Sequence, residues 1–278
     1  MGGRPRRSRS RAFALCAAAL LWTASFAPVV RAGAAINCTY TASDHRVKIT
    51  ITGEHNVDLD RSGSGTLLVN DVPCPRSPTV NNTDRIAIFS GAGHQVVTIF
   101  LGNGGFKPGF TNEAGTSDEI EISVSLGGDH DALAIMGGSA GDHVVFGKSS
   151  GTFVQGRANL NAGETTGVDA DLTFILGAED IFFFGLDGTD TFSANGGSAT
   201  GGAAEFPVIV SGGKNGDTLT GGNKADHING DTGPDLIKGG AGGDTLNSID
   251  GVNGNDEIQG GLGADSCTID PGDITSSC

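Results

Sequence analysis

The chain has 278 residues, enough for one or two domains, and sets 32 acidic against 17 basic residues for a net charge of −15. That balance opposes binding to nucleic acid or to an anionic membrane surface. With 47 glycines, one tryptophan and one tyrosine, the composition also argues against a large conventional core.

Arg4, Arg6, Arg7, Arg9 and Arg11 form a basic head, residues 12–27 an apolar stretch, and Ala32-Gly33-Ala34 a small-residue cleavage sequence. This order predicts an export signal over residues 1–34 that is cleaved, and hence a secreted, extracellular protein. The apolar run is short for a membrane span and contains Ser25, and no later stretch is long or apolar enough to cross a bilayer. The signal takes six of the 17 basic residues and none of the 32 acidic ones, so the mature chain has 11 against 32, a net of −21. Such a surplus suits a divalent cation. Cys16 leaves with the signal. Cys38, Cys74, Cys267 and Cys278 remain, and an even number in an exported chain predicts two disulfides. Three pairings are open; the nearest-neighbour one joins Cys38 to Cys74 and Cys267 to Cys278 and closes the two ends of the chain.

Residues 35–110 alternate in the manner of strands. Val47, Ile49 and Ile51 interleave with Lys48, Thr50 and Thr52, and further runs occupy 65–69, 85–89 and 96–101, punctuated by Gly, Asn, Asp and Pro. No segment has a convincing helical period, so the mature chain reads as all-β. From Ile120 the spacing tightens. The stretches 124–147 and 174–197 each place a strand before a glycine turn, then an aspartate, then apolar residues. Asp131, Asp142, Asp180 and Asp190 hold that aspartate position, and the Gly/Ser/Thr/Asn-rich residues 148–167 between the stretches read as a loop.

From Gly212 the chain counts in nines: GGKNGDTLT, GGNKADHIN, GDTGPDLIK and GGAGGDTLN, then Ser248-Ile249-Asp250, then GVNGNDEIQ and GGLGADSCT. Position one is always Gly. Position six is always Asp: Asp217, Asp226, Asp235, Asp244, Asp256 and Asp265. Position eight is always apolar: Leu219, Ile228, Ile237, Leu246, Ile258 and Cys267. Glycines early in the unit permit a tight turn, and the last three residues make a very short strand with one side chain inward. Two units complete one flattened coil, so Asp217 stacks over Asp235 and Asp226 over Asp244. The three-residue insertion either bulges out and leaves the stack intact or splits the array in two.

These units resemble the calcium-binding nonapeptide repeat of the RTX (haemolysin-type) family. The resemblance covers the last quarter of the chain. It implies a parallel β-roll or β-solenoid over residues 206–278, preceded by an irregular β-rich or solenoid-like region over 35–205 in which 137–145 and 185–193 are degenerate coils. It also implies Ca2+ as the bound ion, held by Asp217, Asp226, Asp235, Asp244, Asp256 and Asp265. Strands stack about 4.8 Å apart and calcium–oxygen distances are about 2.4 Å, so one ion fits between stacked turns with carbonyls completing a shell of roughly 6–8 oxygens. Each unit buries one aliphatic side chain, about 2 kcal/mol, against the ordering of nine residues. An array so rich in glycine should need the metal in order to fold. The cysteines and the N-terminal signal depart from typical members of the family.

Repeats of this kind often trail a secreted enzyme, but no catalytic motif is legible here. H-E-x-x-H is absent, and no two of His45, His55, His94, His130, His143 and His227 are spaced by four. Gly147-Lys148-Ser149-Ser150-Gly151 matches G-x-S-x-G without the strand-to-helix setting of a nucleophile elbow. Asp118, Glu119 and Glu121 read as a solvated strand face, and His130 as part of a solvated turn. The expectation is a non-enzymatic, calcium-binding module of a surface, matrix or scaffold, with calcium ions as its partner and any protein or glycan partner left open. A hydrolase with a repeat tail and a metal-free structural solenoid are the alternatives.

Overall fold

The computed structural model describes residues 35–111, 119–149, 155–161, 169–175 and 178–278. The export signal expected over 1–34 lies outside them, as do Asp118 and the last two residues of the G-x-S-x-G sequence. The chain opens with β1 (Ala35–Thr41) and β2 (Arg46–Thr52), and the alternation in β2 buries Val47, Ile49 and Ile51 as expected. Next come β3 (Asn56–Arg61), β4 (Leu67–Val69), β5 (Val72–Pro73), β6 (Arg85–Ser90) and β7 (Val96–Phe100). The middle contributes β8 (Glu121–Ser125), β9 (Asp131–Met136), β10 (His143–Lys148), β11 (Gln155–Asn159), β12 (Leu172–Ile175), β13 (Ala178–Asp187) and β14 (Thr191–Ser193). The repeats form β15 (Val208–Lys214), β16 (Thr218–Thr220), β17 (His227–Thr232), β18 (Leu236–Ala241), β19 (Thr245–Asn247), β20 (Glu257–Leu262) and β21 (Ser266–Thr268), and β22 (Ile274–Ser276) follows them. Among the described residues there is no helix, and thus none that is long and apolar enough to cross a membrane.

Twelve strands form one sheet in the order β1-β2-β6-β8-β12-β11-β10-β14-β16-β18-β20-β22. Ten form a second, β21-β19-β17-β15-β13-β9-β7-β3-β4-β5. From β13 onward, successive strands alternate between the two. Their pairing is parallel, and the apolar residues at position eight stack in register. Phe192, Leu219, Ile237 and Ile258 make one column; Phe183, Val210, Ile228, Leu246 and Cys267 make the other. The insertion at 248–250 leaves this stack intact, because Leu236 still pairs with Glu257 and Thr245 with Ser266; Ser248 stays buried and Ile249 is exposed.

Residues 148–167 are not all loop. Gln155–Asn159 forms β11, antiparallel to both β10 and β12, and antiparallel pairs also join β1 to β2, β3 to β4 and β4 to β5. Both sheets are therefore mixed. The strand signal of β11 is weak because its inward residues are Gly156 and Ala158. A methyl at Gly156 would collide with the ring of Phe174, so the glycine makes room for an aromatic on the neighbouring strand. Phe174 belongs to a cluster that fills the middle of the molecule: Phe146 lies 5.9 Å from it and 5.6 Å from Phe192, and Phe206 lies 5.5 Å from Phe174. Beyond Phe192 and Phe183 the two columns are aliphatic up to Cys267, which ends one of them.

The disulfides follow the nearest-neighbour pairing, Cys38–Cys74 and Cys267–Cys278. Each ties the edge of one sheet to the edge of the other. Cys38 lies on β1 and Cys74 just beyond β5; Cys267 lies on β21 and Cys278 just beyond β22. Each cross-link restricts the unfolded chain and holds an end of both sheets, where unpaired edges are otherwise open.

Candidate metal-binding array

Each position-six aspartate immediately precedes a short strand, at the end of a glycine turn. Parallel stacking brings the six into two rows: Asp217, Asp235 and Asp256 on one sheet, Asp226, Asp244 and Asp265 on the other. All but the half-buried Asp265 are between 1% and 3% exposed. Within a row each aspartate accepts the backbone N–H of the one before it. The Asp217 amide donates to Asp235 Oδ1 at 2.8 Å, and the Asp235 amide to Asp256 Oδ1 at 2.7 Å. In the other row, the Asp226 amide donates to Asp244 Oδ1 and the Asp244 amide to Asp265 Oδ1, both at 2.9 Å.

The second oxygen is different. Oδ2 of Asp217, Asp235, Asp244, Asp256 and Asp265 is buried and has no hydrogen-bond donor; Asp226 Oδ2 accepts the Gly222 amide at 2.6 Å. In five of the six units Oδ2 sits against the position-one glycine of its own turn, and a methyl at Gly212, Gly221, Gly230, Gly239 or Gly260 would strike it; at Gly251, before Asp256, the space is open. The invariant glycine thus keeps space open at the oxygen. Stacked turns approach as closely: at Gly263, with φ +140°, a Cβ would collide with the carbonyl oxygen of Gly242. Carbonyl oxygens and carboxylates therefore converge on the same turn edges.

Burial first, and neighbouring carboxylates second, push Asp217, Asp226 and Asp235 up to about 7. The same causes raise Asp244 and Asp256. Buried acceptors facing one another without donors are unfavourable unless a proton or cation enters. Hard oxygen ligands on flexible glycine turns are the donor set of calcium. The residues present therefore fit the ion.

The first row also runs beyond the six. The Asp142 amide donates to Asp190 Oδ1 at 2.6 Å, the Asp190 amide to Asp217 Oδ1 at 2.7 Å, and the Asp256 amide reaches Asp273 Oδ1 at 3.4 Å. Asp190 Oδ2 also lacks a donor, and burial raises that group to about 6. Asp131, on β9 of the second sheet, makes the same kind of bond apart from the row, accepting the Gln95 amide at 2.8 Å. Asp180 does not join a row; it lies 3.0 Å from His130 Nε2, both half-exposed, which agrees with a solvated turn at His130. Asp273 gives no repeat signal in the sequence because its strand sets an exposed threonine, Thr275, in register with Ile258 where an apolar residue would mark a repeat.

Glu119 departs from the solvated face expected of it. It precedes β8 rather than lying on it, and its side chain is 7% exposed. Asn161 Nδ2 donates to its Oε1, and Lys107 Nζ lies 3.8 Å from the same oxygen. Asp171 lies beside it; burial first, then Glu119, push that group up to about 9.

The model of the RTX calcium-binding nonapeptide repeat matches residues 211–246 and 247–273. No curated protein and no solved structure matches the chain. The repeats over 211–273 are RTX repeats, and Ca2+ is the ion that such repeats bind.

Proposed function

We propose that this is a secreted, non-catalytic module whose β-roll folds and stiffens on binding calcium outside the cell, in a surface, matrix or scaffold role. In this reading residues 1–34 are the export signal, 35–205 a β-rich region with degenerate coils, and 206–278 the repeat array. Asp217, Asp226, Asp235, Asp244, Asp256 and Asp265 hold the ions, with turn carbonyls completing each shell. Asp190 and Asp142 continue the first row upstream. The two disulfides suit an oxidising compartment.

One observation carries the reading: two stacked rows of buried aspartates, each row presenting carboxylate oxygens that no donor satisfies. Bound calcium supplies the positive charge that those oxygens lack. The chain's own residues then do the rest. Each Oδ1 clamps the amide of the preceding turn, and the position-one glycine of every unit but the fifth holds the turn open at Oδ2. Calcium titration of residues 35–278 after chelation, read by far-ultraviolet circular dichroism with magnesium as control, tests this. The β signal should rise cooperatively with calcium and little with magnesium, whose demand for octahedral geometry suits such turns poorly. A spectrum unchanged between chelator and calcium would make the array a metal-free structural element.

A further inference from the structure

A second acidic site lies away from the repeat rows. Glu119, Asp169 and Asp171 each bring a carboxylate oxygen within 4.8 Å of the others. Glu119 comes just before β8, and Asp171 just before β12. These two strands are parallel neighbours, with Ile122 paired to Leu172. Asp171 therefore occupies the place that Asp142, Asp190 and Asp217 hold before their strands of the same sheet, but it has two further acids beside it. Its Oδ2 accepts the Leu160 amide at 2.6 Å. Its Oδ1 is buried without a donor, on a residue only 5% exposed that lines a cavity of about 400 Å³. Lys107 and Asn161, on the same cavity wall, both address Glu119.

We propose that Glu119, Asp169 and Asp171 form a divalent-cation site, with calcium as its ion, separate from the repeat rows. The donor set is all oxygen, which excludes a zinc- or copper-type preference and suits a hard cation. Ligand oxygens in a calcium shell lie at about 2.3–2.6 Å from the ion, so opposite ones stand up to about 5.2 Å apart and adjacent ones closer. The spread of the three carboxylates matches that span. Burial opposes the charge of these converging carboxylates, and a divalent cation neutralises it. The ion would pin the entry of β8 to the entry of β12, in the part of the sheet that lies outside the nonapeptide count.

The proposal is independent of the repeat array, and its test keeps the two apart. Calcium equivalents are counted by equilibrium dialysis on residues 35–278 and on Glu119→Gln, Asp171→Asn and the double variant, with circular dichroism on each. Glu119→Gln keeps the acceptor for Asn161 and so preserves the local fold. Each variant should lose one equivalent while the calcium transition of the repeats persists. Crystals grown with terbium in place of calcium give a readout that needs no variant: an anomalous peak among the three carboxylates is expected. An unchanged count in Glu119→Gln, or no peak there while the repeat rows are occupied, would overturn the site and leave a proton-sharing acid pair.

Discussion

Asp235 sits in the middle of its row, and its replacement separates charge from hydrogen bonding. Asp235→Ala removes the acceptor of the Asp217 amide, now held at 2.8 Å, and leaves a buried N–H unsatisfied. That loss costs about 1–3 kcal/mol. The same change removes a charge that Asp217, Asp256 and Asp250 oppose. Two unit charges about 5 Å apart repel by ~3 kcal/mol at an effective dielectric of 20, and by less where water enters. In chelator the two effects nearly cancel, so the alanine variant should resemble the parent. In calcium only the losses remain, and sites with Kd of about 10⁻⁴–10⁻³ M should move well above millimolar. Asp235→Asn keeps the acceptor and loses the charge, so in chelator it should be more stable than the parent while its calcium response weakens. Asp265 ends its row, is half-buried and accepts only the Asp244 amide at 2.9 Å, so Asp265→Ala should shift the midpoint less. Urea melts in chelator and calcium titrations by calorimetry read both quantities. An Asp235→Asn protein that is less stable than the parent in chelator and has an unmoved calcium midpoint would refute the reasoning.

Three further outcomes are expected. Asp217, Asp226 and Asp235 are raised to about 7 in the fold, against about 3.9 in the unfolded chain, so folding favours their protonated form. In chelator their contribution is therefore intact below about pH 4 and is lost as pH rises to about 7, and calcium affinity climbs over the same window; melts in chelator that show stability rising across it would contradict this. Gly230→Ala puts a methyl against Asp235 Oδ2 and should weaken calcium binding at least tenfold by calorimetry, whereas Gly202→Ala, with open space around the added methyl, should leave it unchanged. Alkylation without reduction, followed by mass spectrometry, should label none of Cys38, Cys74, Cys267 and Cys278 in protein from an oxidising compartment.

The array was legible because its physics repeats every nine residues. Gly at one, Asp at six and an apolar residue at eight each answer a separate need of the turn, the row and the column. The upstream units were legible as degenerate coils with Asp142 and Asp190 at the aspartate position, but their direct link to the first row was not. Asp142 and Asp190 are 48 residues apart, and Asp190 and Asp217 are 27 apart, so intervening strands hide the period although the hydrogen bond is the same. Strand β11 was obscured for another reason: Gly156 and Ala158 face inward because Phe174 fills the space above them, and neither looks like a core residue. The Glu119 and Asp171 pair depends on parallel pairing of strands far apart in sequence, for which no local pattern exists.

Native-state hydrogen exchange at four backbone amides tests the central claim most directly. The amides of Asp217, Asp226, Asp235 and Asp244 each donate to the aspartate one coil further on. If calcium holds the rows together, these amides exchange slowly in calcium and orders of magnitude faster in chelator, while amides of β2 and β6, outside the repeats, stay protected in both. Equal protection of the four amides with and without calcium would contradict the account.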